Sequence, residues 1–174
     1  MLVLGIDPGT ATTGYGVIRA LEDNLEVIEF GLIETDKNDT GGKRLVSIYK
    51  QVNKILRRVN PDIIAIERLF FATNAKTAMA VGQASGIMLF AAAKNNLETV
   101  EYAPGTIKKL ISGDGRADKK MIQQHLRKIL GAKVRSKANA KTHFDNCADG
   151  LAVALCHIYK TSGLPMKSEG VREQ

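Results

Sequence analysis

The sequence predicts a single α/β domain, a mixed sheet flanked by helices. Three observations carry this reading. Three β-type apolar runs follow one another before residue 35. Helix-type and strand-type apolar periods then alternate to residue 159. The length, 174 residues, suits one domain with its own core and is short for two. The order βββ-α-β-α-β-α is that of a layered α/β unit.

Leu2–Asp7 (LVLGID) is a short apolar run stopped by Pro8-Gly9, the pattern of a buried strand entering a tight turn. Tyr15–Arg19 and Leu25–Glu34 read as two further strands joined through the polar Glu22–Asn24, so the first three form an antiparallel meander. In Gly41–Asn60 the apolar residues Leu45, Ile48, Tyr49, Val52, Ile55, Leu56 and Val59 make one helical stripe, closed by Pro61. Asp62–Glu67 (DIIAIE) is another buried strand ending in a carboxylate.

Asn74–Ala93 is apolar nearly all round, which predicts burial on most sides, part of it against a second copy of the chain. Thr99–Tyr102 is a strand. Pro104–Ile111 and Asp118–Leu130 are helices separated by the Ser112–Arg116 loop, and Asp145–Tyr159 is the last helix. The expected domain is 1–162, with 163–174 a flexible C-terminal tail.

Composition excludes several classes. No apolar run is long enough for a bilayer, and MLVLGIDPG lacks a basic n-region and a cleavage site, so a cytoplasmic protein is expected. Cys147 and Cys156 have no metal spacing and read as reduced core thiols. The net charge of +7 is one-sided: residues 1–100 balance 11 Lys+Arg against 11 Asp+Glu, whereas 101–174 hold 14 against 7. Between Lys108 and Lys141 there are 11 basic residues and two acids, Asp114 and Asp118. On charge alone this stretch reads equally as a polyanion-binding face or as a solvated basic face.

Three carboxylates interrupt apolar elements: Asp7 and Glu67 end strands, and Asp149 sits inside DNCADGLAVALCHI. A buried carboxylate costs several kcal/mol unless its charge is offset. One alone is best explained as a hydrogen-bonded core acid or a cap. Three converging on one sheet edge are better explained by a hard cation, since Mg²⁺ takes carboxylate and water oxygens and leaves room for a phosphate.

GIDPGT followed by GYGVI, then AIERLFF-x-x-NAKTAM and GQA-x-G, EYAPGTIKK, GDGRADK and finally AD-G-LAVALCH, resemble in order the blocks of the RuvC family over residues 2–159. The resemblance implies an RNase H-like fold and a structure-selective endonuclease of homologous recombination and DNA repair. Such an enzyme resolves Holliday junctions by paired symmetric nicks. It implies two Mg²⁺ ions per active site, with Mn²⁺ an accepted substitute, and two-metal phosphodiester hydrolysis. The implied partners are a four-way DNA junction, a second copy in a homodimer, and the RuvA and RuvB branch-migration proteins. Asp7, Glu67 and Asp149 match three of the family's catalytic, metal-binding acids.

The chain departs from the pattern at the remaining acid, three residues before Asp149, where it has Asn146. An amide is a poor ligand in a two-cation site. Three explanations stand open: an Asp→Asn change made to trap uncleaved substrate, Asp145 as substitute ligand, or help from His143. Asp145 also reads as the N-cap of its helix.

Phe70, just past a strand end, matches the family's junction-probing aromatic, with a core role as the alternative. Arg68, Lys76, Lys108, Lys109, Arg116, Lys119 and Lys120 are expected at DNA phosphates, Lys108 and Lys119 being the best matches. Lys119 alternatively forms only a helix-surface pair. Two other functions compete. The D-x-G-T turn also occurs in the sugar-kinase and actin fold, which needs two lobes and has no use for the basic segment. With Asn146 native and unreplaced, the chain reads instead as a non-cleaving junction-binding protein.

Overall fold

The computed structural model describes residues 1–22, 24–69, 75–131, 134 and 141–163, and of 141–146 the backbone alone. Five strands, β1 (Leu2–Asp7), β2 (Thr12–Ala20), β3 (Leu25–Glu34), β4 (Ile63–Glu67) and β5 (Glu98–Tyr102), form one sheet in the order β3-β2-β1-β4-β5. The first three are an antiparallel meander, and β4 and β5 add parallel to β1. The helices are α1 (Gly41–Val59), α2 (Ala75–Lys94), α3 (Pro104–Ser112), α4 (Lys119–Leu130) and α5 (Lys141–Ser162). This is the mixed, helix-flanked sheet that the order of periods predicts.

Alternation along the strands divides the core into two layers. Leu4, Ile6, Ile64 and Ile66 face α1 and α2, meeting Ile48, Val52, Ile55 and Met88. Val3, Ile18 and Ala65 face the other way, onto α5 and the flanking α3 and α4. α5 is the central helix: Cys147, Ala148, Leu151, Val153, Ala154, Leu155, Cys156 and Ile158 have no accessible surface. Both cysteines are buried and outside any disulfide, as expected.

The sheet and α5 meet through glycines. A Cβ on Gly5 of β1 lies 2.8 Å from the Ala154 Cβ, and closer still to the Gly150 carbonyl oxygen and the Ala154 amide nitrogen. On β2, a Cβ on Gly16 falls 2.6 Å from Leu151 Cδ2. Only strands without side chains at these points admit the helix backbone.

Several boundaries differ from the sequence reading, each for a local reason. β2 extends from Thr12 to Ala20 because it pairs on both sides, a gain that Gly14 and Gly16 hide from an alternation count. The last helix starts at Lys141, not Asp145, since no Gly or Pro stands between them. Asp145 is therefore inside a helix and is not its N-cap. Asp118 is instead the cap of α4, accepting from Met121 N at 2.7 Å. Within the single chain α2 is covered on one side, where the sequence predicts burial on most sides with part of it against a second copy: Ala84, Met88, Ala91 and Ala92 are buried, but Met79 is 65% and Phe90 55% exposed. One layer of α1 and sheet covers a single side of α2. Of the described residues, none forms a helix long and apolar enough to cross a membrane.

Candidate active site

Strand register alone brings two acids together. β1 and β4 are parallel neighbours with Ile6 opposite Ile66, so Asp7 and Glu67 end adjacent strands at the same sheet edge. Asp7 is two residues beyond Gly5, and Glu67 two beyond Ala65, so both continue the face that α5 covers. The glycine contact then sets the third acid: Gly150 is seated against β1 and β2, and Asp149 immediately precedes it. Asp7, Glu67 and Asp149 share a cleft of about 250 Å³, with Lys108, Lys119, Pro104, Ile107, Ile122 and Ala152 completing its walls.

The electrostatics are those of acids crowded into a poorly hydrated place. Burial, then the Asp149 charge, push Asp7 up to about 6, while Lys119 pulls the other way. Burial, then the charges of Asp7 and Asp149, push Glu67 up to about 8, opposed by Lys108. Desolvation and like charge both disfavour the ionised forms. The two lysines are the cleft's resident counter-charges. Lys119, in the first turn of α4, donates to Asp149 Oδ2 at 2.9 Å. Its acid partner is thus 30 residues distant and in the cleft, rather than a neighbour on its own helix. Among the described residues no three His, Cys, Asp or Glu side chains form a preassembled metal cluster.

The other predicted positions divide. Lys108 and Lys119 line the cleft. Lys109, next to Lys108 but rotated around α3, lines a different depression with Gly105, Thr106, Leu110, Gly113 and Lys160. Arg68, Lys76, Arg116 and Lys120 are exposed and outside the cleft. The Arg68 amide donates to the Tyr102 carbonyl at 2.8 Å, carrying the β4–β5 ladder past Glu67. Phe70 lies outside the described residues. The backbone of Asn146 stands one helical turn before Asp149 in α5, and the side chains of His143, Asp145 and Asn146 lie outside the described residues.

Sequence reasoning missed the parts that hold the acids in place. Gly5, Gly16 and Gly150 carry a signal, glycine inside an apolar strand or helix, that marks close backbone approach. Thr13, fully buried, accepts from Gly9 N at 3.1 Å and donates to Gly9 O at 2.7 Å, pinning the turn after Asp7. Behind Glu67, its β5 partner Tyr102 meets buried His157 Nδ1 at 2.8 Å. Burial lowers the His157 pKa and favours the neutral ring.

The chain as a whole is similar to known proteins. The family described as "Crossover junction endodeoxyribonuclease RuvC" matches residues 3–157. A protein of that name from Natranaerobius thermophilus is 43% identical over 157 residues, 90% of this chain and 94% of its own. Another, from Caldicellulosiruptor saccharolyticus, is 41% identical over 172 residues, 98% and 100% of the two chains. The solved structure "T. thermophilus RuvC in complex with Holliday junction substrate" superposes with TM-score 0.81 at 29% identity, covering 94% of this chain and 96% of the other. The sheet order and flanking helices are accordingly those of the RNase H-like fold. The chain belongs to the RuvC family of crossover junction endodeoxyribonucleases.

Proposed function

We propose that this chain resolves Holliday junctions by paired symmetric nicks, with Asp7, Glu67 and Asp149 as its metal-holding acids. The observation that carries the reading is the convergence of these three carboxylates from β1, β4 and α5 on one cleft walled by Lys108 and Lys119. Among the described residues of the cleft the donor set fits divalent magnesium: its acids offer oxygen only, and they are crowded enough that burial and like charge oppose full ionisation. Asp7, Glu67 and Asp149, with residue 146 or Asp145, would hold it. Bound there, Mg²⁺ or Mn²⁺, two per site, supplies an activated water and neutralises charge on the leaving 3′ oxygen.

The chain's own residues orient the substrate. Lys119 leaves Asp149 for a phosphate oxygen as the DNA arrives, exchanging one anionic partner for another at little net cost, because the pair is half-exposed. Lys108 meets the phosphate from the α3 side. Arg68, Lys76, Lys109, Arg116 and Lys120 extend the phosphate-binding surface outward, and Phe70 probes the junction centre. A homodimer supplies the second site for the paired nick, supported by the exposed Met79 and Phe90 on α2. Family membership supports RuvA and RuvB as working partners and a cytoplasmic location.

A second reading is favoured by Asn146: a junction-binding protein that does not cut. The deciding experiment incubates a labelled four-way junction and Mg²⁺ with this chain, with its Asn146→Asp form, and with Asp7→Asn in each. Symmetric nicks that Asp7→Asn abolishes establish the nuclease. Binding without nicks in both backgrounds establishes the binder.

A further inference from the structure

The turn after Asp7 is held from two sides, and only the inner side belongs to the strands that form it. Inside, Thr13 closes on Gly9. Outside, two hydrogen bonds reach it from Thr35, and a third, from Arg44, backs Thr35 itself. Thr35, just past β3, donates its hydroxyl to the Thr10 carbonyl at 2.6 Å and its amide to the Ala11 carbonyl at 3.1 Å. Arg44, in the first turn of α1, donates Nε to the Thr35 hydroxyl oxygen at 2.9 Å. The direction of the chain matters. A hydroxyl has one proton, and with a guanidinium N–H occupying its oxygen that proton is aimed at Thr10. A charged donor also polarises the hydroxyl and strengthens its bond onward. α1 is tied to the same strand end by Gln51, whose Nε2 donates to the Glu34 carbonyl at 2.8 Å. The helix is thus a rigid brace, and Thr35 is its contact with the turn.

We infer that Thr35 and Arg44 are positioning residues for the cleft, acting through the Thr10 carbonyl to fix where the Asp7 carboxylate stands. Asp7 is three residues from Thr10 and is followed by a turn so tight that a Cβ on Gly9 collides with the Thr12 carbonyl. A shift at Thr10 therefore has no slack to absorb it before Asp7. Neither residue lines the cleft, so each acts on the reaction only by placing another group. The inference rests on the nuclease function proposed above.

Thr35→Val keeps the shape and removes the hydroxyl, Thr35→Ser keeps the hydroxyl, and Arg44→Gln removes the charged donor. They are made in whichever background cuts, this chain or its Asn146→Asp form. Misplacement of a reacting group by about 1 Å costs on the order of 100-fold, so a partial shift in Thr35→Val lowers kcat roughly 10- to 100-fold with KM nearly unchanged. Thr35→Ser recovers most of the rate. Mn²⁺ binding without DNA, read by electron paramagnetic resonance, weakens in Thr35→Val and recovers in Thr35→Ser. Unchanged kcat and unchanged Mn²⁺ affinity in Thr35→Val overturn the inference. So does an Arg44→Gln effect confined to KM and junction affinity, which makes Arg44 a phosphate contact. If neither background cuts, the nuclease reading falls, and the Mn²⁺ measurement still decides the positioning role.

Discussion

Replacing Gly5 by alanine tests the link between packing and chemistry most directly. Gly5 lies in the interior of β1, where an alanine is intrinsically better by roughly 0.5–1 kcal/mol because it loses less backbone entropy. Against that gain stands the helix. The new methyl falls 2.8 Å from the Ala154 Cβ and nearer still to two backbone atoms of α5, the Gly150 carbonyl oxygen and the Ala154 amide nitrogen. Backbone atoms have no rotamer to escape into, so strand and helix must part by something on the order of 1 Å to regain ordinary contact. Overpacking of this kind costs typically about 1–3 kcal/mol, occasionally more, and a clash with fixed backbone belongs at the upper end. The net loss is about 2 kcal/mol, and at this chain length each kcal/mol moves Tm by about 2–4 °C. The expected fall in Tm is therefore about 4–8 °C. The same displacement carries Asp149 away from Asp7, so kcat falls by roughly 100-fold even at temperatures where the protein is fully folded. Calorimetry and single-turnover junction cleavage, run well below the variant's Tm, measure the two effects separately. An unchanged Tm, or a cleavage loss no larger than the unfolded fraction, would refute the argument that glycine contact sets the site.

Glu67→Gln should flatten the pH dependence of stability in the metal-free protein. Folded Glu67 keeps its proton to about 8 while the unfolded side chain loses it near 4.5, so the folded state binds more protons and stability falls as pH rises between those values. Melting curves of both proteins in EDTA that fall equally with pH would remove Glu67 as the cause. Lys119→Met should leave Tm nearly unchanged, since its ion pair is half-exposed. It should also weaken junction binding with a salt slope shallower by about one; an unaltered slope would mean that Lys119 never reaches a phosphate. Met79→Glu should convert a dimer into a monomer of undiminished stability, because Met79 is 65% exposed. Light scattering that finds wild type and variant with the same mass would clear the α2 face of that role.

What was legible in the sequence depended on how local the determining physics is. Asp7 and Glu67 announced themselves because a carboxylate ending an apolar strand conflicts with its surroundings, and the strand period fixes which face it continues. Asp149 showed for the same reason, being a charge in an otherwise buried helix. Lys119 was half legible: its charge pointed to an anion, but its partner in the fold, Asp149, is 30 residues away and no helical spacing reveals it. The brace on the Asp7 turn was not legible at all. Thr35, Arg44 and Thr13 have the composition of any turn or helix start, and their meaning lies in bonds to carbonyls set by the β3–β2–β1 register. α2 failed differently. Its composition predicts burial on most sides, yet the chain itself buries only Ala84, Met88, Ala91 and Ala92, because composition counts apolar surface without saying what covers it. Carboxylates and apolar stripes are therefore readable from their local cost, whereas the hydrogen bonds that aim them come from pairing between distant segments. That is also where substitutions should separate stability from rate. Gly5 carries both, since it sits in the packed layer, and Thr35 carries mainly rate, since its hydroxyl joins only the turn and the start of α1.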